Sequence, residues 1–600
     1  DERLPENIDG LYLGGGYPEL YKKQLSENEI MRNSIKTAIQ NGLPTVAECG
    51  GFLYLLQSLD GAAMAGVLPT SAHMTRRLQP FGYVTLTANG DNLLCEAGGQ
   101  FPVHEFHYAQ AVDSGADLLM FGMGERSILV TADWMSRGAP AWECAKMRGV
   151  CFLSPSAMRG SIEIPSFEDC VKSKKKYGEA FLVQYNEQDP IRGHAISQRH
   201  GDAYLVQTIP DMPLNRNELD HSYTLPYQRT WHPDYDALGG VPAIEEVQFS
   251  IAHTRGCFGS CSFCAITFLQ GRIVTTRSHE SVLEEAKAIT QMPNFKGYIH
   301  DVGGPTANFR RAACDKQLKF GTCAGRQCLF PKPCPNMVVD HTDYIKLLRE
   351  IRSLPKVKKV FVRSGLRYDY IMADKSDAFL RELCQYHVSG QLKVAPEHVS
   401  PKVLAVMGKP GRDVYDAFCE KYKRINQELG KEQYLVPYLI SSHPGSDLSA
   451  AIELAEYLRD INHQPEQVQD FYPTPGTLST CMFYTGIDPR SGKPVYIPRS
   501  PEEKAMQRAL LQFRRPQNFD LVRKALRQAH REDLIGTSRE CLVPPEGVKT
   551  AHEYAQIRRE RKQREERREI REGRAPKSGS RPFGKSGAKS ADRNKSNGRN

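Results

Sequence analysis

Eight residues from Cys257 to Cys264 carry three cysteines in the spacing C-x3-C-x2-C, with Gly256 just before the set and Gly259 inside it. Three thiolates this close, on a chain that glycine allows to bend sharply, can converge on one iron–sulfur cluster. A closed zinc site instead asks for four ligands in paired knuckles. A cluster held by three protein thiolates leaves its fourth iron open to another ligand. Three buried or zinc-binding thiols are the plainer reading of the same spacing.

The rest of the composition bears on that reading. Sixteen cysteines in 600 residues are sparse for a disulfide scaffold and plentiful for metal sites. An oxygen-sensitive cluster needs a reducing compartment, so the expected location is cytoplasmic. No run of about 18 apolar residues is present, which gives no membrane partner. The chain opens Asp1-Glu2-Arg3-Leu4-Pro5, neither a signal peptide nor an initiator methionine, and reads as a fragment. Its length suits about three to four domains.

The net charge of +9 is unevenly spread. From Ile557 onward 16 Lys/Arg face 6 Asp/Glu, a local +10, which leaves the body near neutrality with 63 against 64. A basic tail on a neutral body suits weak contact with RNA or another polyanion; a solubilising disordered tail is the alternative. Tyr554 to Glu572 alternates Arg and Glu as a solvated helix would, and Gly/Ser/Lys/Arg/Asn low complexity follows.

At the front, Ser26-Glu27-Asn28-Glu29 reads as a capping box, and Ile30, Ile35, Ala38 and Ile39 follow at helical spacing until Gly42. Strands are expected at Gly10–Leu13, running into Gly14-Gly15-Gly16, and at Thr45–Ala47, running into Glu48-Cys49-Gly50-Gly51. A βαβ unit results. Cys49 then sits at a glycine-flanked strand-to-helix elbow, where a nucleophile can stand exposed near backbone N–H donors. His104-Glu105-Phe106-His107 offers candidate bases.

These phrases, with Phe81-Gly82-Tyr83-Val84, resemble the glutamine amidotransferase domain of cobyrinic acid a,c-diamide synthase, a class I amidotransferase with a flavodoxin-like fold. The resemblance implies Cys49 as nucleophile, His107 as base and the Gly14 to Gly16 backbone as a candidate oxyanion hole. It implies an ancestral role in cobalamin biosynthesis. The family's ATP-dependent domain and the first strands of the amidotransferase sheet have no counterpart here. Val103 and Ala109 also replace the usual glycine and serine.

At Ser114 to Arg126 a new pattern begins, an apolar strand breaking into a glycine-rich turn that resembles the last strand of the N-terminal domain in the YgiQ family of radical S-adenosylmethionine (SAM) proteins. The seam falls near residue 110, as in a fusion of truncated genes or a chimeric join. Residues 127 to 245 read as a poorly periodic connector, and the aromatic and proline cluster from Tyr223 to Tyr235 reads as a packed loop.

Beyond residue 246, helical and strand patterns alternate. Val282, Leu283, Ala286 and Ile289 form a helical stripe, Gly297 to Val302 a strand ending in Gly303-Gly304-Pro305-Thr306, and the alternation runs on to Phe471. Such alternation means parallel βαβ units. The cysteine spacing, with Phe263 just before the last cysteine, resembles the radical SAM signature, and the match to the YgiQ family spans most of residues 112 to 550. The resemblance implies a partial (β/α)6 barrel with a [4Fe-4S] cluster and SAM at the strands' C-terminal mouth. In such enzymes the open iron binds SAM, and an electron from the cluster cleaves it to a 5′-deoxyadenosyl radical. A reductant such as flavodoxin or ferredoxin is the implied partner, beside a substrate the resemblance does not name. It assigns Gly303, Gly304 and Pro305 to the SAM amino group through their backbone, and Glu397 in Ala395-Pro396-Glu397-His398 to the SAM ribose; structural turns and a solvated Glu397 are the alternatives.

Cys314, Cys323, Cys328 and Cys334 form a second group in a segment rich in Lys, Arg, Gly and Pro, with little hydrophobic patterning. Thiols there suit ligands better than core, of an auxiliary iron–sulfur cluster or a zinc site; four unliganded thiols are the alternative. Cys384, Cys419, Cys481 and Cys541 stand apart and read as structural.

The expected chain is therefore α/β: a truncated amidotransferase fragment over 1–110, a remnant of the YgiQ N-terminal domain and connector over 111–245, a partial (β/α)6 barrel over 246–545, and a basic helix and disordered tail over 546–600. The expected activity is reductive SAM cleavage. The other readings are a glutamine-hydrolysing amidotransferase piece and a non-enzymatic iron–sulfur protein that associates with RNA.

Overall fold

The computed structural model describes residues 3–5, 8, 10–13, 18–43, 45–47, 50–59, 61–72, 84–87, 100–103, 118–138, 143 and 146–547. Cys49, His107, His104, the Gly14 to Gly16 run and the basic tail lie outside the described residues. Among the described residues no helix is long and apolar enough to cross a membrane. The described residues divide into two compact units, those within 1–450 together with 467–500, and 451–466 together with 501–547.

At the front of the first unit, Leu11–Leu13 pairs in parallel with Thr45–Ala47, Leu11 opposite Thr45, as the βαβ reading expects. The connection differs. Two helices, Pro18–Glu27 and Glu29–Gln40, replace one, and the cap is Asn28, whose side chain accepts the Met31 N–H at 3.2 Å. Ser26 falls in the last turn of the preceding helix, so the capping box read at Ser26 and Glu29 does not form. An Asn caps at least as well as a Ser, and here it also terminates the earlier helix. Ile35 is buried with Leu55 and Ala65, a small core fed by the helix face read in the sequence.

Residues 119–207 are more ordered than a connector. Five short strands form one sheet in the order Ile162–Ile164, Ile196–His200, Ala203–Gln207, Val150–Ser154, Leu119–Met120, with the first pair parallel and the others antiparallel. Gly201, at φ +55°, closes the tight turn between His200 and Ala203. Leu119–Met120 is the apolar strand expected within Ser114 to Arg126, whereas the other strands, of three to five residues, leave too little periodicity to be read from sequence.

The larger part of this unit is the expected alternation. Ser250–Ala252 pairs in parallel with Asp301–Gly303, Tyr298–Ile299 with Lys359–Val360, Gln391–Glu397 with Tyr434–Ser441, and the last of these with Gln469–Asp470. A parallel bridge from Leu366 to Val394 joins the two halves, giving an open barrel of strands in chain order. Helices between the strands cover it. His279–Thr290 buries Val282, Ala286 and Ile289, and Thr342–Arg352 buries Tyr344, Leu347, Leu348 and Ile351. Each fully buried aliphatic side chain contributes roughly 1.5–3 kcal/mol, so these stripes hold the strand ends that carry the site.

The sequence reading extends the barrel to residue 545. The structure instead groups residues 501–547 with 451–466 as a helical unit. Its helices Pro501–Leu511 and Phe519–Gln528 bury Met506, Leu510, Val522 and Leu526, and Arg531 forks onto Glu456 at 3.0 and 3.1 Å.

Candidate active site

The cysteine loop begins where the strand Thr254–Arg255, paired antiparallel with Thr275–Thr276, breaks at Gly256. Gly256 lies at φ +81°, and a Cβ there would stand 2.4 Å from the Ile273 carbonyl oxygen, so only glycine fits. Backbone bonds then pin the loop: Cys257 N–H to Gly271 O at 3.0 Å, Ser262 N–H to Met407 O at 2.8 Å, and Ser479 N–H to Ser262 O at 2.8 Å. Phe258 anchors it from below, stacked on Phe309 at 3.7 Å with Tyr370 edge-on.

Each later strand end sends a residue to this loop. Thr306, after Asp301–Gly303, places its hydroxyl 3.3 Å from the Cys257 sulfur. Arg367, beyond Lys359–Val360, donates from Nη1 to the Cys261 sulfur at 3.2 Å. Glu397 ends its strand buried, and its charge reaches Cys264. His443, past Tyr434–Ser441, sits edge-on to Phe263 and bonds the Ser479 hydroxyl at 2.7 Å through Nε2. Because His443 Nδ1 faces the Pro444 carbonyl at 2.7 Å, it holds the proton and Nε2 accepts.

Strain gathers at the same place. Seven described non-glycine residues have left-handed φ values, and three are Ser260 in the cysteine loop, Glu397 and Ser442 at strand ends. Such conformations cost on the order of 1–3 kcal/mol each and persist where surrounding contacts over-determine them.

The predicted ligands Cys257, Cys261 and Cys264 are thus brought together at the mouth. Burial pushes the Cys257 thiol up and that of Cys264 up to about 12, with the neighbouring cysteines adding to both. Unliganded, the Cys257 and Cys264 sulfurs hold their protons near neutrality, and ligation must expel them. Among the described residues no three His, Cys, Asp or Glu side chains are arranged to hold a single ion. The donors nevertheless suit a cluster of thiolates. Gly259 N–H points at the Cys257 sulfur at 3.4 Å, and a Cβ on Gly259 would meet Arg367 Nη1 at 2.5 Å and that sulfur at 3.2 Å.

Gly303 and Gly304 are packed tightly. A Cβ on Gly303 would meet the Ser364 hydroxyl at 2.0 Å, and one on Gly304 the Thr254 methyl at 2.4 Å. The Gly303 carbonyl accepts the His253 N–H at 2.9 Å, so that oxygen is engaged in the barrel. Pro305 continues the turn into Thr306. Glu397 is only 8% exposed, not solvated. Burial raises its pKa, and Lys409, 3.8 Å away, and Arg367 offset part of that rise.

Two of these groups escaped the sequence. Arg367 pairs through Nε and Nη2 with Asp369 at 2.8 and 2.6 Å, all of it buried, and its backbone exchanges hydrogen bonds with the Asn308 amide at 2.9 and 3.2 Å. It follows a strand by a few residues, which is the position to inspect. Lys409 carried no signal; it follows Gly408, which ends a helix at φ +69°.

An open parallel barrel with a three-cysteine loop at the C-terminal mouth defines the class: this is a radical SAM enzyme. Residues 251–458 match the radical SAM superfamily and 107–250 the radical SAM N-terminal domain; residues 1–131 match a CobB/CobQ-like glutamine amidotransferase domain and 466–600 a domain of unknown function, DUF3362. A UPF0313 protein of Clostridium botulinum (strain ATCC 19397) is 57% identical over 72% of this chain and 67% of its own length. One from Clostridium perfringens (strain 13) is 59% identical over 72% and 66%. The chain belongs to the UPF0313, or YgiQ, family. Among solved structures, the cobalamin-dependent SAM radical enzyme OxsB with aqua-cobalamin bound gives a TM-score of 0.42 at 11% identity, over 94% of this chain and 72% of that one.

Proposed function

We propose that Cys257, Cys261 and Cys264 hold a [4Fe-4S] cluster and that the protein cleaves SAM reductively at the barrel mouth. The observation that carries this reading is the convergence of Thr306 and Arg367 on the thiols of one pinned loop. Bound there, the cluster supplies the electron that splits SAM to methionine and a 5′-deoxyadenosyl radical.

The chain's own residues do the rest. Gly259 N–H and the Thr306 hydroxyl face Cys257, and Arg367 faces Cys261, so thiolate charge meets donors rather than bare apolar wall. The backbone of Gly304 and Pro305 is our candidate for the SAM amino group, and Glu397, held by Lys409, for the ribose hydroxyls. A small acidic electron carrier of the flavodoxin or ferredoxin type would supply the electron.

The test is anaerobic reconstitution with iron and sulfide, followed by reduction in the presence of SAM. 5′-Deoxyadenosine should form and should vanish in Cys261→Ala; a reconstituted chain that forms none overturns the reading. For the amidotransferase region, the match over residues 1–131 favours Cys49 as nucleophile and His107 as base. Glutamine hydrolysis lost on Cys49→Ala tests it.

A further inference from the structure

The stretch from Arg311 to Cys334 carries one short helix, Asp315–Phe320, and continues as an irregular loop. Its inner side is fixed. Gln317 is buried and its side-chain oxygen accepts the Ala313 N–H at 3.0 Å, while the Asp189 carboxylate accepts both the N–H and the hydroxyl of Thr322, at 2.7 and 2.6 Å. Cys314, Cys323, Cys328 and Cys334 are free thiols, and among the described residues they form no group able to hold a metal ion.

The outer side has no such cover. Leu318 and Phe320 are 58% and 66% exposed, Lys316 and Lys319 are exposed beside them in the same helix, and Arg326 and Lys332 are exposed in the loop that follows. Apolar side chains left in water within a polar rim mark a surface that another molecule covers. Among the described residues no carboxylate pairs with any of these four cations. In the hollow beside Leu318 the arginines Arg216, Arg310 and Arg311 are balanced by Asp315, Asp340 and Asp343, so the lysines stand as surplus positive charge. Two apolar anchors ringed by unpaired cations suit an acidic protein with an apolar contact of its own.

This face adjoins the cysteine loop. Next to Arg326, Gln327 donates from Nε2 to the Ser260 carbonyl at 2.5 Å, and Ser260 is the neighbour of Cys261. Arg272 donates to the carbonyls of Cys323 and Arg326, both at 2.9 Å, and follows Gly271, whose carbonyl holds the Cys257 N–H at 3.0 Å. Leu329 packs with Phe258 in one core. Electron tunnelling falls off exponentially with distance, so a carrier has to settle on a surface close to the sulfurs.

We propose that Lys316, Leu318, Lys319 and Phe320, with Arg326 and Lys332, form the docking surface for a small acidic electron-carrier protein. The inference rests on the cluster reading above and adds where the electron enters. One electron leaves the carrier, which is oxidised, and arrives at the cluster on Cys257, Cys261 and Cys264, which is reduced; no bond or proton changes hands.

The experiment titrates the full chain with an oxidised flavodoxin, as the acidic probe, by isothermal calorimetry at low salt, beside Lys316→Glu/Lys319→Glu and Leu318→Ser/Phe320→Ser. Charge reversal should weaken binding at least about 10-fold and flatten its dependence on salt. Removal of the apolar pair should weaken it by a similar factor and leave the salt dependence in place. Both variants keep the basic tail, so affinity that survives in both overturns the proposal, as does an unaltered chain that binds no flavodoxin or a dimer that the serine variant dissolves. Dithionite should reduce all three reconstituted proteins at the same rate, whereas reduced flavodoxin should reach full rate only with the unaltered chain; equal slowing with both reductants overturns the proposal. The titration needs no cluster, so a chain that binds flavodoxin but cleaves no SAM fails the activity and keeps the docking surface.

Discussion

Arg367 Nη1 lies 3.2 Å from the sulfur of Cys261 while the rest of the same guanidinium is paired with Asp369. A fixed cation thus faces one sulfur of the predicted cluster. Burial works against both charges, but the pair holds the Asp369 carboxyl below its usual range and the guanidinium above its own. A positive charge beside a cluster favours its reduced, more negative state.

Arg367→Gln should therefore shift the cluster's midpoint potential downward and slow its reduction. It also strands the Asp369 charge, at a cost of about 3–5 kcal/mol. The double change Arg367→Met/Asp369→Leu separates the effects: stability should return and the lowered potential should stay. Potentiometric titration and denaturant unfolding of both variants are the measurements.

Gly259→Ala forces a methyl against Arg367 and Cys257. We expect a destabilisation of about 1–3 kcal/mol from overpacking and a clear fall in bound iron. Iron analysis beside thermal unfolding checks it; unchanged iron content would count against the packing argument.

Acid should destabilise the barrel through two buried histidines. Burial depresses both His398 and His443 from 6.5 to about 3. Between those values the unfolded chain binds more protons. Their contribution is therefore complete above pH 6.5 and is lost as pH falls toward 3, by about 1.4 kcal/mol per pH unit for each ring. Urea midpoints at several pH values should show the slope, and His443→Gln should reduce it.

Glu397→Ala should weaken SAM binding by about 10- to 100-fold if the carboxylate holds the ribose, since hydrogen bonds to charged groups contribute about 1.5–3 kcal/mol. Equilibrium dialysis of the reconstituted protein measures it. Affinity that survives the change assigns Glu397 to the Lys409 pair alone.

Much of the barrel was legible because parallel βαβ units repeat two strong periods, short apolar strands and helices with buried stripes such as Val282, Ala286 and Ile289. The sheet over residues 119–207 was legible only at its first strand, Leu119–Met120, where an apolar run meets a glycine-rich turn; strands as short as Ile162–Ile164 carry no pattern of their own. Asn28 displaced Ser26 as a cap because two residues able to cap stand two positions apart, and the helix beginning at Pro18 runs through Ser26 and decides between them.

The sequence alone determined the donor set of the mouth loop: three cysteines at fixed spacing, with Gly256 just before them and Gly259 among them. Those are local facts, set by chain geometry over eight residues. Only the tertiary structure decided what faces those sulfurs. Arg367 lies 106 residues from Cys261, and no periodicity records a contact across that distance. It forms because parallel strands end at one mouth, where burial makes an unpaired charge too costly and so draws Asp369 to Arg367 and Lys409 to Glu397.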